Sequence, residues 1–487
     1  MYPEILSGAR VFPERIAGIA IMAKIKISGK ELIKIGYPEG RAIGMAINVV
    51  HQHFKKEKKE KVMAILQAVL ENPEGYADDE VLGRIVYELV EQTPTQVAEI
   101  PLNQTPKNYK TYGLEAIEKG AIDQMDVAVR LPIAVEAALM PDAHQGYGLP
   151  IGGVLATDNA VIPYGVGVDI GCRMCLTFYD LKPEFLEKNR SKLGQMLNEN
   201  TAFGYQELVK PMDDAIFERP EFREISIVKP LKDKAFRQIG SSGSGNHFVE
   251  FGVVEILDAK NEFGVSTGSY LALLSHSGSR ALGANIADYY TKLAIKATPL
   301  PKEAKHLAWL GLDTDAGQEY WLAMNLAGDY ASACHHHIHA RIAKALGEQP
   351  LAMVENHHNF AWKEKLANGR EVIVHRKGAT PAGKGVLGVI PGSMVHPGFI
   401  VRGKGSTLAL NSASHGAGRL FSRTKAKNSF TEYELKKVLK SHGVDLFGGG
   451  LDEAPMAYKD IRKVMDFQKD LVEVIGTFTP KIVRMDS

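Results

Sequence analysis

Asp169 and Cys172 stand three apart around Gly171 in the run Val166-Gly-Val-Asp-Ile-Gly-Cys-Arg-Met-Cys175. A glycine turn can aim a hard carboxylate and a soft thiolate at one point. Such a mixed set suits a transition metal such as Mn, Zn or Fe better than Mg or Ca, which prefer oxygen alone. A buried cysteine beside a capping aspartate is the plainer alternative. Histidines at the edges of three other β-like runs widen the set. His247 stands in Gly243-Ser-Gly-Asn-His-Phe-Val-Glu250 with Asn246 and Glu250, and His276 in Leu271-Ala-Leu-Leu-Ser-His-Ser-Gly-Ser-Arg280. His357 and His358 stand in Glu355-Asn-His-His-Asn-Phe360. Singly, each reads as a satisfied polar residue; jointly they resemble a built metal site. The Ser/Gly loop at Arg280 could also hold phosphate through backbone N–H groups.

A second constellation is basic. Val374-His-Arg-Lys-Gly-Ala-Thr380 leads through Val389-Ile-Pro-Gly-Ser-Met394 and Val401-Arg-Gly-Lys404 to Ser412-Ala-Ser-His-Gly-Ala-Gly-Arg419 and Ser422-Arg423. His415 sits among Ser, Gly and Ala, where no bulky side chain bars a phosphorus centre from its imidazole. Arg376, Lys377, Arg402, Arg419 and Arg423 supply the forked and point charges that phosphoryl groups need, with a basic surface loop as the alternative. To act as a nucleophile, His415 must be neutral with one ring nitrogen free, which requires a partner on the other. Two further patterns carry less. Cys172 and Cys175 make a CxxC with no second pair, weak support for structural zinc. His335 and His339 in Cys334-His-His-His-Ile-His339 share a helix face, but Ala331, Ala333 and Ala340 mark an ordinary packed helix.

These residues need a large scaffold. The 487 residues carry 58 Lys+Arg against 57 Asp+Glu, a formal charge of +1, which excludes a uniformly basic nucleic-acid coat. Hydrophobic residues at 45% exclude global disorder, and the length allows several domains or one large enzyme body with an appendage. Three cysteines cannot form a disulfide framework and favour a reducing compartment. The first residues lack the pattern of a secretory signal, and no apolar run approaches the roughly 20 residues that span a bilayer, so a cytoplasmic protein without a membrane partner is expected. Helix-period apolar positions fill residues 1–100, including Gly40 to Leu70 and Ala77 to Gln92, while the Lys/Glu run Phe54 to Lys61 reads as a solvated face. Pro101 and Pro106 mark a linker at 101–112. From 113 onward, short β-branched runs alternate with helical segments and with glycine clusters at Gly146–Gly171 and Gly378–Gly418, predicting an α+β body of mixed sheets with surrounding helices.

The ordered motifs Pro-Asp-Ala-His-Gln-Gly-Tyr-Gly, Gly-Val-Asp-Ile-Gly-Cys, Gly-Asn-His-Phe-Val-Glu, His-Ser-Gly-Ser-Arg, His-His-Asn, His-Arg-Lys-Gly-Ala-Thr, Pro-Gly-Ser-Met and Ser-His-Gly-Ala-Gly-Arg resemble the RtcB family of RNA-splicing ligases across residues 113–487. A final match is Asp452-Glu-Ala-Pro-Met-Ala-Tyr-Lys-Asp460. The resemblance implies a GTP-dependent ligase that uses manganese to join an RNA 3′-phosphate or 2′,3′-cyclic phosphate end to a 5′-hydroxyl end, in RNA repair or tRNA splicing. It implies a two-metal ligand set of Asp169, Cys172, His247, His276 and His358, with Cys172 bridging. His415 becomes the residue that takes GMP, with Asp142 an acidic residue of the active-site region. Asn246, Phe248, Glu250, Ser393, Ala417 and Tyr458 match guanylate-pocket positions, and Arg280, Lys377, Arg419 and Arg423 match basic positions near phosphate. An activating accessory protein is a possible further partner.

Two segments depart from the family. Met394-Val-His-Pro-Gly398 stands where small residues and Ser-Tyr are usual, and Ile482-Val-Arg-Met-Asp-Ser487 stands where Lys-Gly usually ends the chain. Arg484 is the candidate to replace that guanine-contacting lysine, although an ungapped alignment places Met485 there. The helical extension is also outside the usual family core and suggests a divergent paralogue. The alternatives are a metal-dependent phosphoesterase or nucleotide hydrolase on the same site, or a non-catalytic RNA-end-binding protein.

Overall fold

The computed structural model describes residues 27–90, 98–207 and 212–486, apart from Glu39 and Lys56. Residues 1–26, where a secretory signal would stand, lie outside these, as do 91–97 of the N-terminal region. Contacts divide the chain into two units, Met1–Val97 and Ala98–Ser487. Among the described residues, no helix is long and apolar enough to cross a membrane.

The smaller unit contains the helices Gly29–Lys34, Arg41–His53, Lys59–Glu71 and Gly83–Val90. The apolar pattern from Gly40 to Leu70 forms two helices, because the Lys/Glu run between Phe54 and Val62 offers no apolar face to bury. In that run, Lys61 pairs with Glu57 and Lys59 with Glu31, all on the surface, so it is a solvated face. Leu32, Val49, Val62, Leu66 and Ile85 pack into the unit's own core. Beneath them, the Tyr37 hydroxyl donates to the Leu66 carbonyl at 2.9 Å.

The larger unit is α+β and rests on two sheets. A five-stranded sheet runs in the order Lys110–Thr111, Ala134–Tyr147, Leu149–Thr157, Glu371–Lys377, Asn359–Lys365. An eight-stranded sheet runs Leu387–Ile390, Gly398–Gly403, Val472–Met485, Phe248–Ile256, Gly268–Ser277, Arg173–Tyr179, Pro350–His357, with Asp445–Phe447 pairing Val472–Met485 in parallel. The segment expected as a linker belongs to this unit. Asn103 N–H donates to Arg130 O at 2.8 Å, and Lys110–Thr111 forms an edge strand, so its prolines punctuate an ordered approach to the sheet.

Strands of the larger sheet are apolar on both faces, and strand periodicity decides which residue serves which side. Leu271 and Leu273 join a cluster with Ile338 and Ile342 of the 32-residue helix Asp315–Leu346, whereas Ala272 and Leu274 join Met174, Leu176 and Phe178 on the opposite face. The same alternation turns Ser275 and Ser277 toward the helix and His276 away from it. That helix is capped by the Thr314 side chain, which accepts from Gly317 N–H, and ends at Gly347 in the left-handed region. The turn at Gly171 rests on it: with φ of +69°, Gly171 approaches Gly328 so closely that a Cβ would lie 2.7 Å from the Gly328 Cα. Two facing glycines therefore let the Asp169–Cys172 turn seat against the helix.

Candidate active site

Strand ends bring the chemistry together. Register pairs His276 with both Met174 and Phe248, and Arg173 with His357, so the residues flanking these positions share one end of the larger sheet. Asp169 and Cys172 precede Arg173–Tyr179, His247 precedes Phe248–Ile256, His276 lies near the end of Gly268–Ser277, and His358 follows Pro350–His357. His358 N–H donates to Cys172 O at 3.0 Å, and Gly171 N–H to Asn359 O at 2.8 Å, fixing the two loops together.

The side chains converge. Cys172 Sγ lies 3.3 Å from His247 Nε2 and 3.1 Å from His276 Nε2. His276 Nε2 lies 3.3 Å from His358 Nε2, and His247 Nε2 lies 2.9 Å from an Asp169 carboxylate oxygen. The donors form two overlapping groups, Cys172/His276/His358 and Asp169/Cys172/His247, with ligand atoms in each within 4.8 Å of one another. Cys172 belongs to both. His276 Nδ1 sits 2.9 Å from Asn246 O. A carbonyl only accepts, so Nδ1 carries the proton and the Nε2 lone pair faces the cluster. Burial holds His276 down to about 3 and His358 well below its ordinary value, so both rings are neutral donors. Burial and the neighbouring Asp169 push the Cys172 thiol up, a balance that a bound cation reverses. Thiol, imidazole and carboxylate together are a donor set that fits a transition metal, and these five residues could hold one.

His415 stands beside this cluster, its ring centre 4.9 Å from that of His358. It follows the strand Ser412–Ser414, and its Nδ1 lies 2.7 Å from Asp142 Oδ2, which also accepts from the His415 and Gly416 backbone N–H groups. Complete burial pushes the Asp142 carboxyl up, but His415, Lys459 and His144 outweigh it and hold its pKa below the ordinary value. An ionised Asp142 accepts a hydrogen bond from His415 Nδ1–H, which keeps the ring proton on Nδ1 and leaves Nε2 with a free lone pair. Lys459 Nζ donates to Pro141 O at 3.2 Å and Ala143 O at 2.7 Å, bracing the Asp142 segment.

A cavity of about 340 Å³, lined from both sheets, contains the site. Its walls include Asp169, Cys172, Asn246, His247, Phe248, Glu250, His276, His358, Lys377, Ser393, His415, Ala417, Arg419, Arg423 and Tyr458. Asp142 lies behind His415, fully buried. Burial raises the Glu250 carboxyl well above the ordinary range. Arg419 stacks on Tyr458 at 5.1 Å and pairs with Glu453 at 3.0 Å, while Arg423 reaches Asn246 Oδ1 at 3.4 Å.

Two sequence candidates are elsewhere. Arg484 shares a strand face with Ile482 and lies 5.4 Å over the Phe203 ring, while Val483 and Met485 line the cavity. Strand alternation thus gives Met485 the position considered for Arg484. Arg280 also stays outside the cavity walls: its Nε donates to Ser241 Oγ at 3.1 Å and its Nη2 to Gly204 O, tying two loops together. Arg376 is buried against Glu364, Ser412 and Leu410 O, and Arg402 binds Asp258, Glu262 and Glu473. Sequence reasoning missed His144 and His396, which line the cavity, and Lys459. His144 and Lys459 lie inside quoted motifs, and His396 lies in the altered segment after Ser393, where its Nδ1 is 2.8 Å from Ser393 Oγ.

The sequence model of the tRNA-splicing ligase RtcB family matches residues 124–225 and 218–486, covering every residue of the cluster and both sheets apart from the edge strand Lys110–Thr111. The chain belongs to the RtcB family. It is 34% identical over 391 residues to the RNA-splicing ligase RtcB of Escherichia coli (strain K12), covering 74% of this chain and 93% of that protein. It is 31% identical over 431 residues to the tRNA-splicing ligase RtcB of Methanococcus maripaludis, covering 73% and 89% respectively. An RtcB homolog 1 of Entamoeba dispar is 31% identical over 409 residues. The RtcB match begins at residue 124, beyond the smaller N-terminal unit.

A third Cys–His group lies on the helix side of the sheet. Cys175, His335 and His339 also place ligand atoms within 4.8 Å of one another. Every imidazole nitrogen there is taken. His335 Nε2 lies 3.2 Å from Ser277 O, so it carries the proton, and Nδ1 accepts from the Ser275 hydroxyl at 2.6 Å. Ser275 Oγ then accepts from His339 Nε2–H at 2.8 Å, and His339 Nδ1 accepts from Thr177 at 2.7 Å. This directed chain, and not a metal, satisfies the two rings.

Proposed function

We propose that this RtcB-family protein is a GTP-dependent RNA ligase joining a 3′-phosphate or 2′,3′-cyclic phosphate end to a 5′-hydroxyl end. One observation carries the reading: His415, oriented by Asp142, presents its free Nε2 in the same cavity as the Cys172-centred donor set. Manganese ions held by Asp169, Cys172, His247, His276 and His358 would supply Lewis-acid stabilisation of charge on phosphoryl oxygens.

The chain's own residues perform the rest. Nε2 of His415 attacks the α-phosphorus of GTP; a P–N bond forms and pyrophosphate leaves. Asp142 keeps the proton on Nδ1 and stabilises the cationic ring that results. Lys377, Arg419 and Arg423 neutralise charge on the phosphates. An oxygen of the RNA 3′-phosphate next displaces His415 from the guanylate, and the 5′-hydroxyl, losing its proton, attacks the activated 3′-phosphorus and expels GMP. A cyclic phosphate is first opened by water. Asn246, Phe248, Glu250, Ser393, Ala417 and Tyr458 offer the pocket for the guanylate.

The reading is tested with two RNA fragments bearing these ends, incubated with GTP and manganese. Wild type yields joined RNA and Cys172→Ala yields none; joining that survives Cys172→Ala contradicts it. The Met394 and Met485 walls favour one second reading, a phosphoesterase on the same site, which releases terminal phosphate from the same RNA without joining it.

A further inference from the structure

Beside the cavity, three rings cluster at the surface, Tyr147 and His306 exposed and Tyr164 half-buried. The Tyr147 and Tyr164 centroids are 6.4 Å apart, Tyr147 and His306 6.2 Å, and Tyr164 and His306 5.0 Å with planes inclined by 31°. Tyr147 is 68% exposed, unusual for a ring on a sheet whose other residues are largely buried. The turn is built for this packing. Gly148, with φ of +69°, lies so close to His306 that a Cβ would meet its carbonyl oxygen at 2.9 Å.

Lys377 ties this surface to the reaction centre. Its Nζ donates to Tyr147 O at 2.6 Å and Tyr164 O at 3.1 Å, and lies 5.0 Å over the Tyr164 ring. Burial pulls the Lys377 amine down to about 7, and a phosphate beside it holds it charged; that ammonium has three N–H groups, two on the carbonyls and one left for the phosphate. The next residue, Gly378, touches His415: a Cβ there would be 3.2 Å from the ring Cε1. The path from nucleophile to lysine to aromatic surface is therefore continuous, with Lys305 adding charge beside His306.

We propose that the nucleotides at the broken RNA end stack on the Tyr147–Tyr164–His306 surface while an adjoining phosphate meets Lys377. The proposal rests on the RNA-ligase reading and names where that substrate leaves the cavity. Single-stranded RNA fits because every base presents a π-face, so aromatic stacking accepts any sequence, and a lysine at the edge meets the backbone.

The test is fluorescence anisotropy of the full chain with a short single-stranded RNA ending in 3′-phosphate. Tyr147→Ala weakens binding by about tenfold or more, and Tyr147→Phe restores it to within about twofold. Tyr433→Ala, which removes another exposed ring, binds as wild type does. Equal binding by wild type and Tyr147→Ala overturns the stacking surface and leaves the ligase reading standing; no RNA binding by wild type overturns both. In an arm independent of variant folding, RNA carrying 4-thiouridine at its 3′ end is photocrosslinked to wild type. Adducts on Tyr147, Tyr164 or His306 support the surface, and adducts confined to other regions overturn it.

Discussion

The two sides of one strand, Gly268–Ser277, each border a Cys–His group, and the two groups differ in what their ring nitrogens meet. On one side, His276 meets Cys172, His247 and His358; on the other, Ser275 and Ser277 meet His335 and His339 beside Cys175. On the helix side, two hydroxyls and a carbonyl occupy all four ring nitrogens, leaving no lone pair for an ion. On the cavity side, the anchor is on the far nitrogen of His276, and the near nitrogens converge on a thiol. Polar satisfaction, more than residue type or spacing, separates a ligand set from a buried network.

Substitutions on each side should part accordingly. Cys172→Ser is expected to weaken transition-metal binding by more than about 100-fold, since losing outer partners alone costs about 10- to 100-fold. Urea unfolding of the metal-free variant should stay within about 1 kcal/mol of wild type. Metal titration with a parallel unfolding curve checks both halves. His339→Ala should do the reverse: it strands the Ser275 and Thr177 hydroxyls and opens a cavity, costing about 2–4 kcal/mol, with metal stoichiometry unchanged. Metal loss in this variant, with the fold retained, would merge the two clusters into one site.

Acid sharpens the contrast. Burial pushes His339 down to about 3 and His375 down to about 4. An unfolded histidine titrates near about 6.5, so below that pH the unfolded chain binds more protons than the folded one. Stability from these rings is complete above about pH 6.5 and is lost as pH falls toward their folded values, on the order of 3 to 5 kcal/mol for each. Urea midpoints of metal-free protein should drop between pH 7 and pH 4. The smallest effect belongs to Arg484→Ala, expected to change the KM for GTP by no more than about twofold because the guanidinium lies over Phe203.

Much of this was legible in the residues. The α+β body and the ordered motifs were readable, and the loops carrying Asp169, Cys172, His247, His276 and His358 stood out because glycine-flanked polar residues interrupt apolar runs. The need for a partner on His415 was also clear, and Asp142 fills it. Arg280 and Arg484 were harder, because a basic residue near a motif gives no direction. The alternation of Ile482, Val483, Arg484 and Met485 held the answer for Arg484 once the strand was known. The partners of His335 and His339 lie at least 58 residues away along the chain, so no local pattern could reveal that their nitrogens were taken. The pairing of Lys110–Thr111 within the segment read as a linker was hidden because an edge strand of two residues has no periodicity to detect.

The most direct test is intact-mass spectrometry of the full chain after incubation with GTP and manganese. Wild type is expected to gain a single guanylate adduct and His415→Ala none. An unmodified wild type, or an adduct that persists without this imidazole, would contradict His415 as the nucleophile.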